Sequence, residues 1–167
     1  MLGTIRMRKV LMCCVVLTLV GACQQTKAYT PDLAPIPVRL ESLSGAAVSA
    51  SDFRVEKSNG ESMRLRLEEQ LRQAIPNARA AGDSTPPSVS VDVIEQRAYF
   101  TKGKWHGVTR LRAVVRTKDG RRLGPFDGVG ESERFNSVGY TTAKRVGQDS
   151  YNAAIADLLS KLRSELR

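Results

Sequence analysis

The chain has 167 residues, 41% of them hydrophobic, which fits one domain with a respectable core. It carries 26 basic against 17 acidic side chains, a formal charge of +9, which speaks to partners and steering rather than to fold. A single histidine is too few for the usual imidazole-rich zinc sets.

The first element is "MLGTIRMRKVLMCCVVLTLVGAC". Arg6, Arg8 and Lys9 make a positive leader, and Val10 to Val20 is an apolar run of 11 residues. Crossing a bilayer takes roughly 20 residues, so the pattern is that of a secretory signal. Met7 would begin an equally complete signal. Val20-Gly21-Ala22-Cys23 resembles the lipobox of bacterial lipoproteins. The resemblance implies lipid transfer to the Cys23 thiol, cleavage before it, and acylation of the new terminus. Two or three acyl chains hold a protein to a membrane far more firmly than one. Gln24 follows the cysteine. Under the enteric sorting rule, in which Asp at that position retains a protein in the inner membrane, this implies an outer-membrane anchor facing the periplasm.

Residues 1–22 are therefore read as signal peptide, and 23–37 as the lipidated cysteine with an extended tether. Residues 38–167 are read as a single periplasmic domain. Cys13 and Cys14 leave with the signal, so the mature chain has no disulfide, no cysteine-based metal site and no thiol nucleophile. Its side-chain charge is +6, since the signal removes three basic residues and no acidic one. In the envelope, the matching partners are anionic lipids and glycans, and nucleic acid is excluded by location. "QQTKAYTPDLAPIP" is polar with three prolines and reads as extended leash, its first dozen residues reaching at most about 40 Å.

Beyond it, Val38 and Leu40 alternate with Arg39 and Glu41, which predicts a short strand. Ser42 to Ser51 reads as loop, and Phe53 with Val55 as another brief strand. Ser58 and Glu61 form a candidate capping box for a helix. Its core stripe is Met63, Leu67, Leu71 and Ala74 or Ile75, with Arg64–Glu68 and Glu68–Arg72 pairs on the outer side and Pro76 as the stop. Asn77 to Ser88 is a loop.

Val89, Val91 and Val93 alternate with Ser90 and Asp92 in a half-buried strand. Leu111, Ala113 and Val115 alternate with Arg110, Arg112 and Arg116 in a second. Asp119-Gly120 turns the chain into a third, whose Asp127, Glu131 and Glu133 would lie near the arginine row. The chain closes with a helix whose apolar stripe is Tyr151, Ile155, Leu158, Leu159, Leu162 and Leu166. The order predicts an α+β fold, a two-layer sandwich of a mostly antiparallel sheet with two helices packed on one face.

No catalytic constellation emerges. His106 has no cysteine or second histidine to pair with, and reads as a surface residue flanking a turn. The acids at 127, 131 and 133 lack EF-hand spacing and fit a solvated strand face. Gly128-Val129-Gly130 lacks the rest of a dinucleotide fingerprint and fits a bulge or close packing. "YFTKGKWHG" stands apart, because Tyr99, Phe100 and Trp105 sit beside Lys102 and Lys104 in a segment joining two strands. Either it is a ligand or partner surface for headgroups, or Gly103 makes a hairpin turn while Phe100 and Trp105 cap the core edge.

The lipobox at Cys23, the "LRLEEQLRQA" and "NAAIADLLSKL" helices and the "SVSVDV" strand together resemble the small proteobacterial envelope lipoproteins typified by the YajG family. Similarity to auxiliary lipoproteins of ABC-type lipid transport and of lipopolysaccharide assembly is weaker. The resemblance implies no enzymatic site, and carries over no residue but Cys23. The sequence thus implies a membrane-anchored, non-catalytic binding or assembly module without metal or cofactor, in an envelope complex. The alternative is a direct binder of anionic lipid or glycan.

Overall fold

The computed structural model describes residues 29–55, 60–80, 85–135 and 139–166. The expected signal peptide, Cys23 and Ser58 of the expected capping box lie outside the described residues. Four strands and two helices follow one another as β1 (Ala47–Asp52), α1 (Gly60–Ala74), β2 (Ser88–Thr101), β3 (Lys104–Arg116), β4 (Arg122–Phe135) and α2 (Gly139–Glu165). The sheet order is β1-β2-β3-β4. β1 runs parallel to β2, with α1 as the crossover, and the other two pairs are antiparallel hairpins. Parallel neighbours require such a connection, whereas hairpins need only a turn.

Both helices cover the same side of the sheet. Met63, Leu67 and Leu71 of α1 join Ile155, Leu158, Leu159 and Leu162 of α2 in one cluster over Val89, Val91, Val93, Leu111, Ala113 and Val115. The expected two-layer α+β architecture is present. Period-two burial in the strands and helical burial in α1 and α2 leave one wet sheet face and one dry one.

Three local expectations are overturned. The strand expected at Val38–Leu40 is absent, and a 3-10 turn follows at Glu41–Leu43. The backbone of Leu40 donates instead to Ala74 O, answering an orphan carbonyl at the end of α1. The first strand lies at Ala47–Asp52, of which all but Asp52 was expected to be loop. Its residues Ala47, Val48 and Ala50 are buried, so the strand fits close beneath the helix layer. The strand expected through Phe53 and Val55 does not form: after Phe53 N donates to Val93 O, the chain leaves the sheet and both side chains are exposed.

The stretch expected to be tether is part of the domain from Tyr29 onward. Ala34 is buried in the core cluster, and Ile36 and Val38 pack against it. We call residues 29–40 the strap. Glu68, expected on an outer face, is buried, its two oxygens bracketed by Arg64 at 2.6 Å and Arg72 at 3.5 Å. Pairing is what makes such burial tolerable.

α2 begins at Gly139, about three turns before the first residue of its apolar stripe, Tyr151. Gly147 and Ser150 lie in the added turns, and both are buried. Ser150 is satisfied by Thr109 Oγ1 and by Gly147 O, each at 3.0 Å. Glycines on the facing strands permit the approach. A methyl group on Gly107 would stand 2.1 Å from Val146 O, one on Gly128 2.6 Å from Ala154 O, and one on Gly130 1.9 Å from Ser150 O. Close packing, not a nucleotide loop, accounts for Gly128 and Gly130.

Candidate functional site

β2 and β3 are joined by the two-residue turn Lys102-Gly103, with φ of +50° and +77°. Left-handed residues at both positions match the twist of the flanking strands. Thr101 and Lys104 form the closing pair. Strand alternation then divides the expected surface in two. Phe100 and Trp105 lie on the helix side, their ring centroids 5.5 Å apart, packed with Ala98, Ala143 and Val146. Tyr99 and Lys104 lie on the outer side, and Lys102 is exposed at the tip. The five residues do not make one binding surface. Phe100 and Trp105 pack at the edge of the core, as the hairpin reading expects.

The outer side carries a ladder of contacts across three strands. The Arg97 guanidinium stands 5.1 Å from the Tyr99 ring centroid, and Tyr99 stacks on His106 at 5.3 Å with 16° between planes. His106 Nδ1 is 3.9 Å from Glu133 Oε2, while Lys104 Nζ donates to Glu133 Oε1 at 2.7 Å and sits 4.9 Å from the Phe135 ring. The Lys104 hydrogen bond, then its charge, holds the Glu133 carboxyl below the usual carboxylate range. His106 is thus a half-buried strand residue rather than a turn-flanking one. A hollow of about 420 Å³ opens between Tyr99, His106, Val108, Glu131 and Glu133. Ser132 takes part from the other side of β4: its hydroxyl donates to Val146 O at 2.6 Å on the helix side, out of reach of the imidazole.

A second hollow, of about 340 Å³, was not anticipated. The β2–β3 register slips between Val93 and Glu95, so the buried side of β2 passes from Val89, Val91 and Val93 to Gln96 and Ala98. Such a bulge places one residue outside the ladder. β1 ends opposite Val93, and Arg54, Val55, Ile94, Arg97 and Arg110 line the gap. Its cations are committed. Arg97 and Arg110 both reach Glu95, at 2.6 and 3.4 Å, and the buried Arg54 holds Asp52 at 2.7 Å and Gln96 Oε1 at 3.0 Å. The break in alternation after Val93 was the one sequence signal for this site.

The acidic strand positions behave as a solvated face. Arg112 grips Asp127 through two oxygens, at 2.8 and 3.3 Å, and that hydrogen bonding lowers the Asp127 pKa. Glu131 lies opposite Val108, and Arg110 opposite Val129, so the arginine row and the acidic row meet only at Asp127. Among the described residues no group of three His, Cys, Asp or Glu side chains is placed to hold a metal ion. No described helix is long and apolar enough to cross a membrane.

No family model matches the chain, and no curated protein matches it. Its fold is similar to that of a PelC variant from Paraburkholderia phytofirmans solved as a dodecamer, at 20% identity and a TM-score of 0.44, over 81% of this chain and 93% of that one. It is also similar to lipoprotein GNA1162 from Neisseria meningitidis, at 9% identity and a TM-score of 0.39, over 57% of this chain and 88% of that one.

Proposed function

We propose that the chain is a lipid-anchored, non-catalytic binding or assembly module of the bacterial envelope, held through Cys23 on the periplasmic side of the outer membrane. The observation that carries this reading is Val20-Gly21-Ala22-Cys23 at the end of a basic, then apolar, leader. Two features support it. Tyr29, six residue steps after Cys23, is already held on the domain, which keeps a lipid on Cys23 close to it. In the two hollows the acids are engaged by neighbouring cations, Glu133 by Lys104 and Glu95 by Arg97 and Arg110. YajG-like membership adds no residue to this reading beyond Cys23.

The test is mass spectrometry of the mature N-terminal peptide from the full-length chain expressed in a Gram-negative host, beside Cys23→Ser. An acylated terminus at Cys23, membrane fractionation lost in Cys23→Ser, and recovery of envelope proteins by crosslinking in cells are the expected results. An unmodified thiol on a freely soluble protein overturns the anchor. Robust turnover of an envelope substrate overturns the non-catalytic role.

The second reading, direct binding of anionic lipid or glycan, is favoured by the exposed Lys102 at the hairpin tip. Lys102→Ala with Lys104→Ala weakens salt-sensitive binding to glycan or vesicles if this hairpin is the site. Unchanged binding removes it.

A further inference from the structure

Resting on the lipid anchor proposed above, we infer that the end of the domain built from the first turns of α2 and the Lys102-Gly103 turn docks on an anionic lipid bilayer. Tyr29 is seated on α2: its hydroxyl donates to Gln148 Oε1, and Lys144 Nζ lies 5.8 Å from its ring centroid. Asp32 N donates to the same Gln148 oxygen at 2.8 Å, and Gln148 Nε2 returns a bond to Asp32 O at 3.0 Å. The first described residue of the strap is therefore fixed on α2 beside Lys144.

From that point to Cys23 there are six residue steps, which span at most about 20 Å when fully extended. α2, with 27 residues, is about 40 Å long. An acylated Cys23 thus holds the first part of α2 near the headgroups, while its C-terminal turns have no such constraint.

The charge at this end selects the orientation. Trp105 packs with Ala143 and Val146, which brings the hairpin turn beside the start of α2. Lys102, Lys144 and Arg145 are all exposed there. The neighbouring acids are occupied, Glu133 by Lys104 at 2.7 Å and Asp149 by Arg134 at 2.8 Å. Asp32 on the strap is the opposing carboxylate, and the balance is positive. Basic side chains kept within a Debye length of an anionic leaflet, about 8–10 Å at ordinary ionic strength, are drawn to it. The short anchor supplies the proximity, and the cations turn this end toward the surface.

The experiment uses the mature lipidated chain reconstituted into vesicles of phosphatidylethanolamine, with or without phosphatidylglycerol. The mature domain has no free thiol beside Cys23, so a cysteine at Thr141→Cys or Lys118→Cys carries a single fluorophore. Thr141 is exposed near the start of α2, and Lys118 is exposed in the β3–β4 turn at the far end of the sheet. With a headgroup-borne quencher, the label at 141 should be quenched several-fold more than the label at 118 on anionic vesicles. The difference should shrink on neutral vesicles, in high salt, and in Lys144→Gln with Arg145→Gln, whose melting temperature should stay near that of the parent. Equal quenching of the two labels, or a difference indifferent to lipid charge, overturns the docking surface while the anchor stands. Failure to float with either vesicle overturns the anchor and this inference together.

Discussion

The side-chain amide of Gln70 and the backbone of Ala34 exchange two hydrogen bonds: Ala34 N donates to Gln70 Oε1 at 2.6 Å, and Gln70 Nε2 donates to Ala34 O at 3.1 Å. Both residues are buried. A single amide thus imitates a strand neighbour and clamps the strap to α1, where three nearby prolines leave the backbone no regular ladder. Gln70→Leu keeps the bulk but strips the partners from a buried N–H and a buried carbonyl. It should cost about 1–3 kcal/mol in urea unfolding. Limited proteolysis should cleave faster within residues 29–40, and an unchanged cleavage rate would show that the apolar contacts of Ala34 and Ile36 suffice.

The glycines of β4 set how closely α2 approaches. Gly130→Ala drives a methyl into the backbone of Ser150 and Ala154, where nothing flexible can give way. The loss should be at least about 1–3 kcal/mol, the ordinary cost of overpacking. Thermal melting of Gly130→Ala and Gly128→Ala measures it.

Tyr151 points in the other direction. Its side chain is fully buried, and its hydroxyl finds no hydrogen-bond partner among the described residues. Burial pushes its pKa upward, the nearby charge of Arg66 opposing. Tyr151→Phe removes a desolvated hydroxyl and leaves the ring in place. Stability should be unchanged or rise by about 1 kcal/mol, which is rare for a core substitution. Chemical denaturation decides it, and a clear loss would mean that the hydroxyl is satisfied in solution.

Acid should destabilise the domain through its outer sheet face. The Asp127 pKa is depressed, first by its hydrogen bond from Arg112, and that of Glu133 by its hydrogen bond from Lys104. A depressed carboxylate contributes stability that is present above the unfolded value of about 4 and is lost as pH falls through the folded one. Asp92 runs the opposite way, since burial raises its pKa against the pull of Arg112. Its ionised form costs stability at neutral pH and is relieved on acidification. Asp127→Asn should therefore flatten the loss of stability below about pH 4. Asp92→Asn should raise neutral-pH stability by less than about 1 kcal/mol. Melting temperatures across that range test both signs.

Much of this molecule could be read along the chain. The periodicities of Val89–Val91–Val93, of Leu111–Ala113–Val115 and of Met63–Leu67–Leu71 each state a local fact, which side of an element is apolar, and burial followed that fact in every case. The turn at Gly103 and the one at Gly120 are equally local, because both need a left-handed φ that glycine supplies freely. The first strand is not legible in the sequence, because alanine and serine carry too little contrast for period two to show. Nor is the strap, because proline-rich polar chain looks the same whether it is free or clamped, and Gln70 and Gln148 lie 36 and 116 residues away from the backbone they hold.

Local pattern thus determined the dry faces and the types of α1, β2, β3, β4 and α2, since each depends on neighbours a few residues apart. Only the tertiary structure decided which partner each face meets. It set the slip after Val93, parted Phe100 and Trp105 from Tyr99 and Lys104, and seated Tyr29 beside Lys144. Those outcomes come from registers and backbone approaches between distant segments, and no short window of residues contains the geometry that fixes them.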